Sequence, residues 1–142
     1  TSLFRIRKIH KVYLAIVIGE FKNNKGTLKD NLISYEGKKK LFNKAITHYK
    51  VIDSNNNYSL IQLNPETGRK HQIRKQLLLR GHPIYGDSKY NLINEKLNKK
   101  NNLMLHAYKI FFKINSNKYS FSADLPSNFK EAIKGKNLKI SL

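Results

Sequence analysis

Four residues suited to handling an anion, Arg69, His71, Gln72 and Arg74, fall within one six-residue window. They belong to a longer stretch, Glu66 to Tyr90, that holds three of the chain's five arginines, two histidines and three glycines. Guanidinium groups grip phosphate or carboxylate through paired hydrogen bonds. Neutral imidazole and amide groups suit phosphate, ribose or base edges. Elsewhere the basic residues are mostly lysines scattered among asparagines, a pattern that composition bias alone can produce. Arg, His and Gly clustered at fixed offsets mark a site instead. That site is not read as a metal centre, because His71, His82, His106 and Asp87 show none of the short spacings of a common zinc site.

The elements that must position these residues follow from periodicity and turn chemistry. Arg69 to Arg80 lacks Gly and Pro and carries three leucines, so it is predicted to be a helix ended by Gly81. On a helical wheel Ile73, Leu77 and Leu78 share one arc, with Arg74 lying between Leu77 and Leu78. A guanidinium set among core-facing leucines requires a carboxylate or phosphate, because a buried unpaired charge costs several kcal/mol. Glu66 and Asp87 are candidate partners within the chain, and snorkelling to solvent is the alternative. Gly81-His-Pro-Ile-Tyr-Gly-Asp87 reads as a turn-rich connection. Tyr13, Tyr85, Tyr90 and Tyr108 are available for base stacking.

Lys11 to Ile18 is a β-branched and aromatic run closed by Gly19, a buried strand. Asn23 to Gly26 reads as a turn, Thr27 to Ile33 as a weaker strand and Gly37 to Lys40 as an exposed loop. Lys44 to Asp53 and Tyr58 to Leu63 form a hairpin around three asparagines. Leu105 to Asn115 and Lys118 to Ala123 form another, and Ser127 to Ile133 is a short helix with Ser127 as its cap. The pattern is strand-rich α+β in a single domain, residues 1–142. With 28 basic and 9 acidic residues the formal net charge is +19, which favours a polyanionic partner, RNA or DNA best of all. No window reaches 18 apolar residues and no basic amphipathic helix stands out, so no membrane partner is expected. The absence of cysteine is compatible with a cytoplasmic address.

Taken in order, these residues resemble the bacterial pseudouridine synthases that modify ribosomal and transfer RNA. Thr67-Gly-Arg-Lys-His-Gln-Ile-Arg74, Gly81-His-Pro-Ile-Tyr-Gly-Asp87 and Tyr90 look like that family's "TGRTHQIR…GHPI.GD..Y" block. Leu105-His-Ala107 looks like its "LHA" strand. Lys11-Val-Tyr-Leu-Ala15 with Gly19 is similar to its "K.Y.A...G" strand, and Ala45-Ile-Thr-His-Tyr49 to its "A.T.Y" strand. The match runs from about residue 5 to the end.

The resemblance implies a mixed, mostly antiparallel sheet with flanking helices, and conversion of uridine to pseudouridine without cofactor or metal. It implies RNA as partner, ribosomal most of all and large-subunit in particular, with transfer RNA as the alternative, and a monomer when complete. Tyr13 matches the tyrosine that packs on the flipped-out uracil and helps deprotonate C5. Arg74 matches the basic residue that pairs with the catalytic Asp, and Ile73 an apolar residue lining the pocket. Arg69, His71 and Gln72 become contacts to RNA or to the pocket frame.

Two departures stand out. Lys70 replaces the family's usual Thr or Ser, and Lys75-Gln76 its frequent Val-His. More seriously, the nucleophilic Asp belongs to an upstream "HRLD..TSG" motif that does not occur here, and Asp30, Asp53, Asp87 and Asp124 all lie in other contexts. The chain therefore matches the C-terminal part of a catalytic domain, with an incomplete sheet, poor solubility and no isomerase activity alone as expectations. A non-catalytic RNA-binding protein derived from the same scaffold is the alternative reading.

Overall fold

The computed structural model describes residues 6–93 and 102–141. Six strands form one sheet: β1 (Ile6–Ile18), β2 (Lys25–Glu36), β3 (Lys39–Ser54), β4 (Tyr58–Pro65), β5 (Leu105–Ile114) and β6 (Asn117–Ser122). Their order across the sheet is β2-β3-β4-β1-β5-β6, and each neighbouring pair is antiparallel. Two helices, α1 (Gln72–Leu79) and α2 (Ser127–Gly135), pack on it. The expected α+β class, largely antiparallel sheet and flanking helices are all present.

The apolar run in β1 explains its place inside the sheet. Successive strand side chains point to opposite faces, yet Leu14, Ala15, Ile16 and Val17 are all fully buried. Both faces must therefore be covered at this point. The register shows how. Tyr13 lies opposite Leu63, which lies opposite Tyr49, so Thr47 shares Tyr13's face; Thr47 is hydrogen-bonded to Gln76 of α1. Leu14 lies opposite His106, whose ring meets Phe129 of α2. The two helices thus cover opposite faces, α1 with Ile73 and Leu77, α2 with Phe129 and Ile133.

Several boundaries differ from the sequence-based expectations. Lys39 and Lys40 are not in a loop: Gly37 at φ 63° and Lys38 form a tight turn, and the following lysines already pair with Glu36 and Tyr35. Gly26 lies inside β2 rather than in the preceding turn. The helix starts at Gln72, not Arg69, because His71 adopts a left-handed conformation (φ 53°, ψ 31°) that the α-helix cannot continue through. Its other end follows expectation. The Gly81 and His82 N–H groups donate to Leu78 and Leu77 carbonyls around Gly81 at φ 78°, a closed C-terminal motif. Ser127 is the first residue of α2 and caps nothing; Pro126 holds the cap position, its carbonyl accepting from Phe129 and Lys130.

The connection after α1 is fastened to the end of β1. Ile18 N–H donates to the Pro83 carbonyl and Tyr85 N–H to the Ile16 carbonyl. His82 Nδ1 donates to the Ile18 carbonyl at 2.9 Å, which makes His82 structural. Gly86 sits in this connection at φ 82°, where a Cβ would lie 1.8 Å from the Asn102 carbonyl oxygen. Gly86→Ala should therefore cost more than about 2 kcal/mol in urea unfolding. Gly135→Ala, at a helical position with open space around it, should be neutral or stabilising by up to about 1 kcal/mol. Equal effects at the two glycines would contradict this assignment.

Candidate active site

A pocket of about 350 Å³ opens where the Tyr13 face of the sheet meets the start of α1. Tyr13, Arg69, His71, Gln72, Ile73 and Arg74, the six residues singled out from sequence, all line it. Tyr13 arrives from the middle of the sheet, where the register between β1 and β5 slips between Val12 and Tyr13. The extra residue lies in β5, between Ala107 and Lys109, so the faces of β5 change over at that point. Lys11 and Leu105 complete the sheet side, and the turn from Pro65 to Gly68 forms the opposite wall.

The carboxylate required by Arg74 is Asp87, one of the two partners open to it within the chain. Arg74 Nε donates to Asp87 Oδ2 at 2.8 Å and Nη2 to Oδ1 at 2.7 Å. The Asp87 side chain is wholly buried and also accepts from the Lys89 and Tyr90 N–H groups. Burial pushes the carboxyl up. The Arg74 guanidinium and the two backbone donors outweigh that and hold it below its ordinary value. The same contact raises Arg74 further. Glu66, the other candidate, instead meets His48 Nε2 at 2.9 Å on the rim. Neither bond from Arg74 uses Nη1, which has no partner among the described residues.

His71 is built in between Arg74 and the following connection. Its Nδ1 lies 2.8 Å from the Tyr90 hydroxyl, and the two rings meet edge-on. Tyr90 also receives the Arg74 guanidinium over its ring, 4.9 Å from the centroid. Burial, with the positive charges of Arg74 and nearby lysines, lowers the His71 pKa. The imidazole is therefore neutral at pH 7, able to donate from one nitrogen and accept at the other. Arg69 anchors only through Nε to the Lys44 carbonyl, which leaves a mostly exposed cation on the lip.

Beneath the pocket runs a buried polar ladder that the sequence reading missed. Gln72 Oε1 accepts from the Thr67 hydroxyl and the Arg69 N–H, and its amide donates to Thr47 Oγ1. Thr47 in turn donates to Gln76 Oε1 at 2.6 Å. The Gln76 amide faces the Leu28 and Ala45 carbonyls and Asp30. Gln76, not Leu78, is thus the inward neighbour of Leu77, and Arg74 faces the pocket edge rather than a leucine arc. The available signal was the spacing: Gln72 and Gln76 are four apart, on one face of the helix.

Of the chain's four aspartates Asp124 is exposed, and the other three are engaged with other groups. Asp30 pairs with Arg80, and Asp53 accepts from the Lys139 N–H. Among the described residues no aspartate lines the pocket, and no group of three His, Asp or Glu side chains could hold a metal ion. Nor is any described helix long and apolar enough to cross a membrane.

The family described as RNA pseudouridylate synthase matches residues 1–79. Ribosomal large subunit pseudouridine synthase D of Borreliella burgdorferi is 34% identical, the match covering 89% of this chain and 41% of that protein. Ribosomal large subunit pseudouridine synthase C of Rickettsia prowazekii is 36% identical over 93% of this chain and 47% of its own length. The chain therefore spans less than half the length of these relatives. Among solved structures, human RNA pseudouridylate synthase domain containing 4 superposes with a TM-score of 0.79 at 23% identity, over 93% of this chain and 64% of that one. That likeness concerns the fold.

The Arg74–Asp87 pair has a definite pH signature. Because the folded-state pKa of Asp87 is depressed, the pair stabilises the fold above the ordinary value of 3.8 and loses that contribution as pH falls through the folded value. Asp87→Asn should cost roughly 3 kcal/mol at pH 7. It should also flatten the fall in urea midpoint below about pH 4. An unchanged acid limb in the variant would show that another carboxylate carries it.

Proposed function

The chain belongs to the RNA pseudouridylate synthase family, and we propose that it supplies the C-terminal wall of a uridine pocket in an enzyme that isomerises uridine to pseudouridine in large-subunit ribosomal RNA. The observation that carries this reading is the convergence of Tyr13 and Arg74 on one pocket, with no described residue bound to Arg74 Nη1. Tyr13, Ile73 and Leu105 offer a flat aromatic and apolar surface to a flipped base. Arg69 and Lys11 bring positive charge to the mouth, where phosphates offset the few kcal/mol that base flipping costs.

The chemistry assigned to this site breaks the bond between ribose C1′ and N1 of uracil, turns the base and rejoins C1′ to C5; the C5 proton is then lost and the released N1 takes one up. Tyr13 packs on the ring and takes part in removing that proton. The nucleophile is an aspartate from a segment preceding this chain in sequence, and Arg74 Nη1 is the donor that receives its carboxylate while Asp87 holds the guanidinium from behind. One carbon–nitrogen bond is exchanged for one carbon–carbon bond with no net oxidation, so the reading calls for no external oxidant, reductant or group donor. A ribosomal substrate puts the work in the cytoplasm. The choice of large-subunit RNA over transfer RNA rests on the two bacterial relatives, both named for that subunit.

Release of tritium from C5-labelled uridine in ribosomal RNA tests the proposal. The chain alone should release none. Mixing or fusing it with an upstream half that carries the "HRLD..TSG" motif should restore release, and Tyr13→Phe should then lower the rate at least about hundredfold. Turnover by the chain alone would overturn the assignment of an external nucleophile. Tight RNA binding without turnover in the fused protein would favour a scaffold that has lost its chemistry.

A further inference from the structure

When the C1′–N1 bond of the target nucleotide breaks, its electron pair stays with the base. The negative charge then spreads to the two carbonyl oxygens of the uracil ring. In the proposed reaction Tyr13 and Ile73 meet the flat of that ring and Arg74 meets carboxylates, so the ring oxygens call for a further donor. His71 lines the same pocket as these three residues. Its backbone is left-handed, at φ 53° and ψ 31°, a region that residues other than glycine seldom adopt. The other two such residues among those described, Asn115 and Asn137, are asparagines in turns, where that conformation is ordinary.

The Tyr90 hydroxyl decides where the imidazole proton sits. It lies 2.8 Å from His71 Nδ1 and meets no other acceptor among the described residues. A half-buried phenol places its proton on the acceptor it meets, which leaves the ring's own proton on Nε2. The Arg74 guanidinium over the Tyr90 ring strengthens the phenol as a donor. Nε2 has no partner among the described residues, so its N–H is available to the pocket. Burial, followed by the charges of Arg74, Lys89, Lys70 and Lys75, keeps a second proton off the ring.

We propose that His71 is a catalytic residue of the uridine site, a neutral donor whose Nε2–H bonds to a carbonyl oxygen of the uracil ring while the base is detached. The proposal rests on the uridine reading of the pocket and names the group that steadies the base between its two bonds. A hydrogen bond to an anionic oxygen is roughly twice as strong as one to a neutral carbonyl. His71 therefore favours the detached base over the intact nucleotide, which is what lowers a barrier. A neutral imidazole suits this task because it neither takes nor gives up a proton in the step. The electron pair returns to C1′ through C5; C5 then loses its proton and N1 gains one. His71 ends with the proton it began with.

Two measurements test this, one on turnover and one on the chain alone. The first is tritium release from C5-labelled large-subunit ribosomal RNA by the chain fused to an upstream half with the "HRLD..TSG" motif. His71→Phe keeps a flat ring and loses the donor, so it should lower kcat about hundredfold and leave KM within about twofold. His71→Gln, whose amide N–H can stand near the position of Nε2, should retain about a tenth of the parent kcat. The second is nitrogen-edited NMR of the imidazole rings in the 142-residue chain at neutral pH. His71, assigned by the signal lost in His71→Gln, should carry its proton on Nε2, and Tyr90→Phe should introduce the Nδ1–H form. A Phe variant as fast as the parent, a raised KM with kcat unchanged, or an Nδ1–H tautomer in the parent chain would overturn the proposal and leave the pocket reading in place. Equal loss of turnover in the Phe and Gln variants would make His71 a support of the fold only, and the proposal falls. If the fused parent releases no tritium, both readings fall.

Discussion

The Asp87 carboxylate has no access to solvent, and everything around the pocket is arranged to make that tolerable. Two guanidinium donors and two backbone N–H groups converge on its oxygens, because an uncompensated charge there would cost several kcal/mol. Satisfying it fixes the rest in turn. Arg74 is held against Tyr90, Tyr90 against His71, and the α1 helix is tied to the connection that leads toward β5. A guanidinium clamped from one side offers its remaining nitrogen in one direction.

The polar ladder under α1 works by the same logic with neutral groups. An apolar interface between helix and sheet tolerates a small slide or rotation, since dispersion has little directionality. Gln72, Thr47 and Gln76 do not, because each bond in the series assigns the donor and acceptor of the next. No buried side-chain nitrogen or oxygen among the described residues lacks a partner, so a slip by one residue would leave several groups unsatisfied at once. The turn from Thr67 to Arg69, which hangs from Gln72, inherits that precision.

The sequence revealed what is local and concealed what is set across the sheet. The interior of β1 was legible because four consecutive apolar residues need cover on two faces. Its first residues, Ile6 to His10, were not, since their strand state comes from pairing with a hairpin about a hundred positions later. Lys39 and Lys40 look like loop residues, yet charged residues are ordinary where a long hairpin meets water. The start of α1 was misjudged for a similar reason: nothing in Arg69-Lys-His71 breaks a helix, and the left-handed turn at His71 is held by Gln72 and Tyr90. The six residues singled out from the sequence line the pocket because they belong to motifs that fold together. Gln76 was passed over because its partners are groups on distant strands, which a helical wheel does not show.

The position of β1 between β4 and β5 also sets the order of assembly. Strands β2, β3 and β4 follow one another as hairpins and can close soon after they are made. The other edge of β1 waits for residues beyond 104, so its apolar run is left as an open strand while the intervening chain is synthesised, the kind of edge that recruits other chains. Long-range pairing of this sort is slow. Leu105, a wall of the pocket, arrives in the same step that closes this edge. Closure of this edge and completion of the pocket wall therefore coincide, and the interval between the emergence of β4 and of β5 is when the apolar run of β1 most needs protection from aggregation.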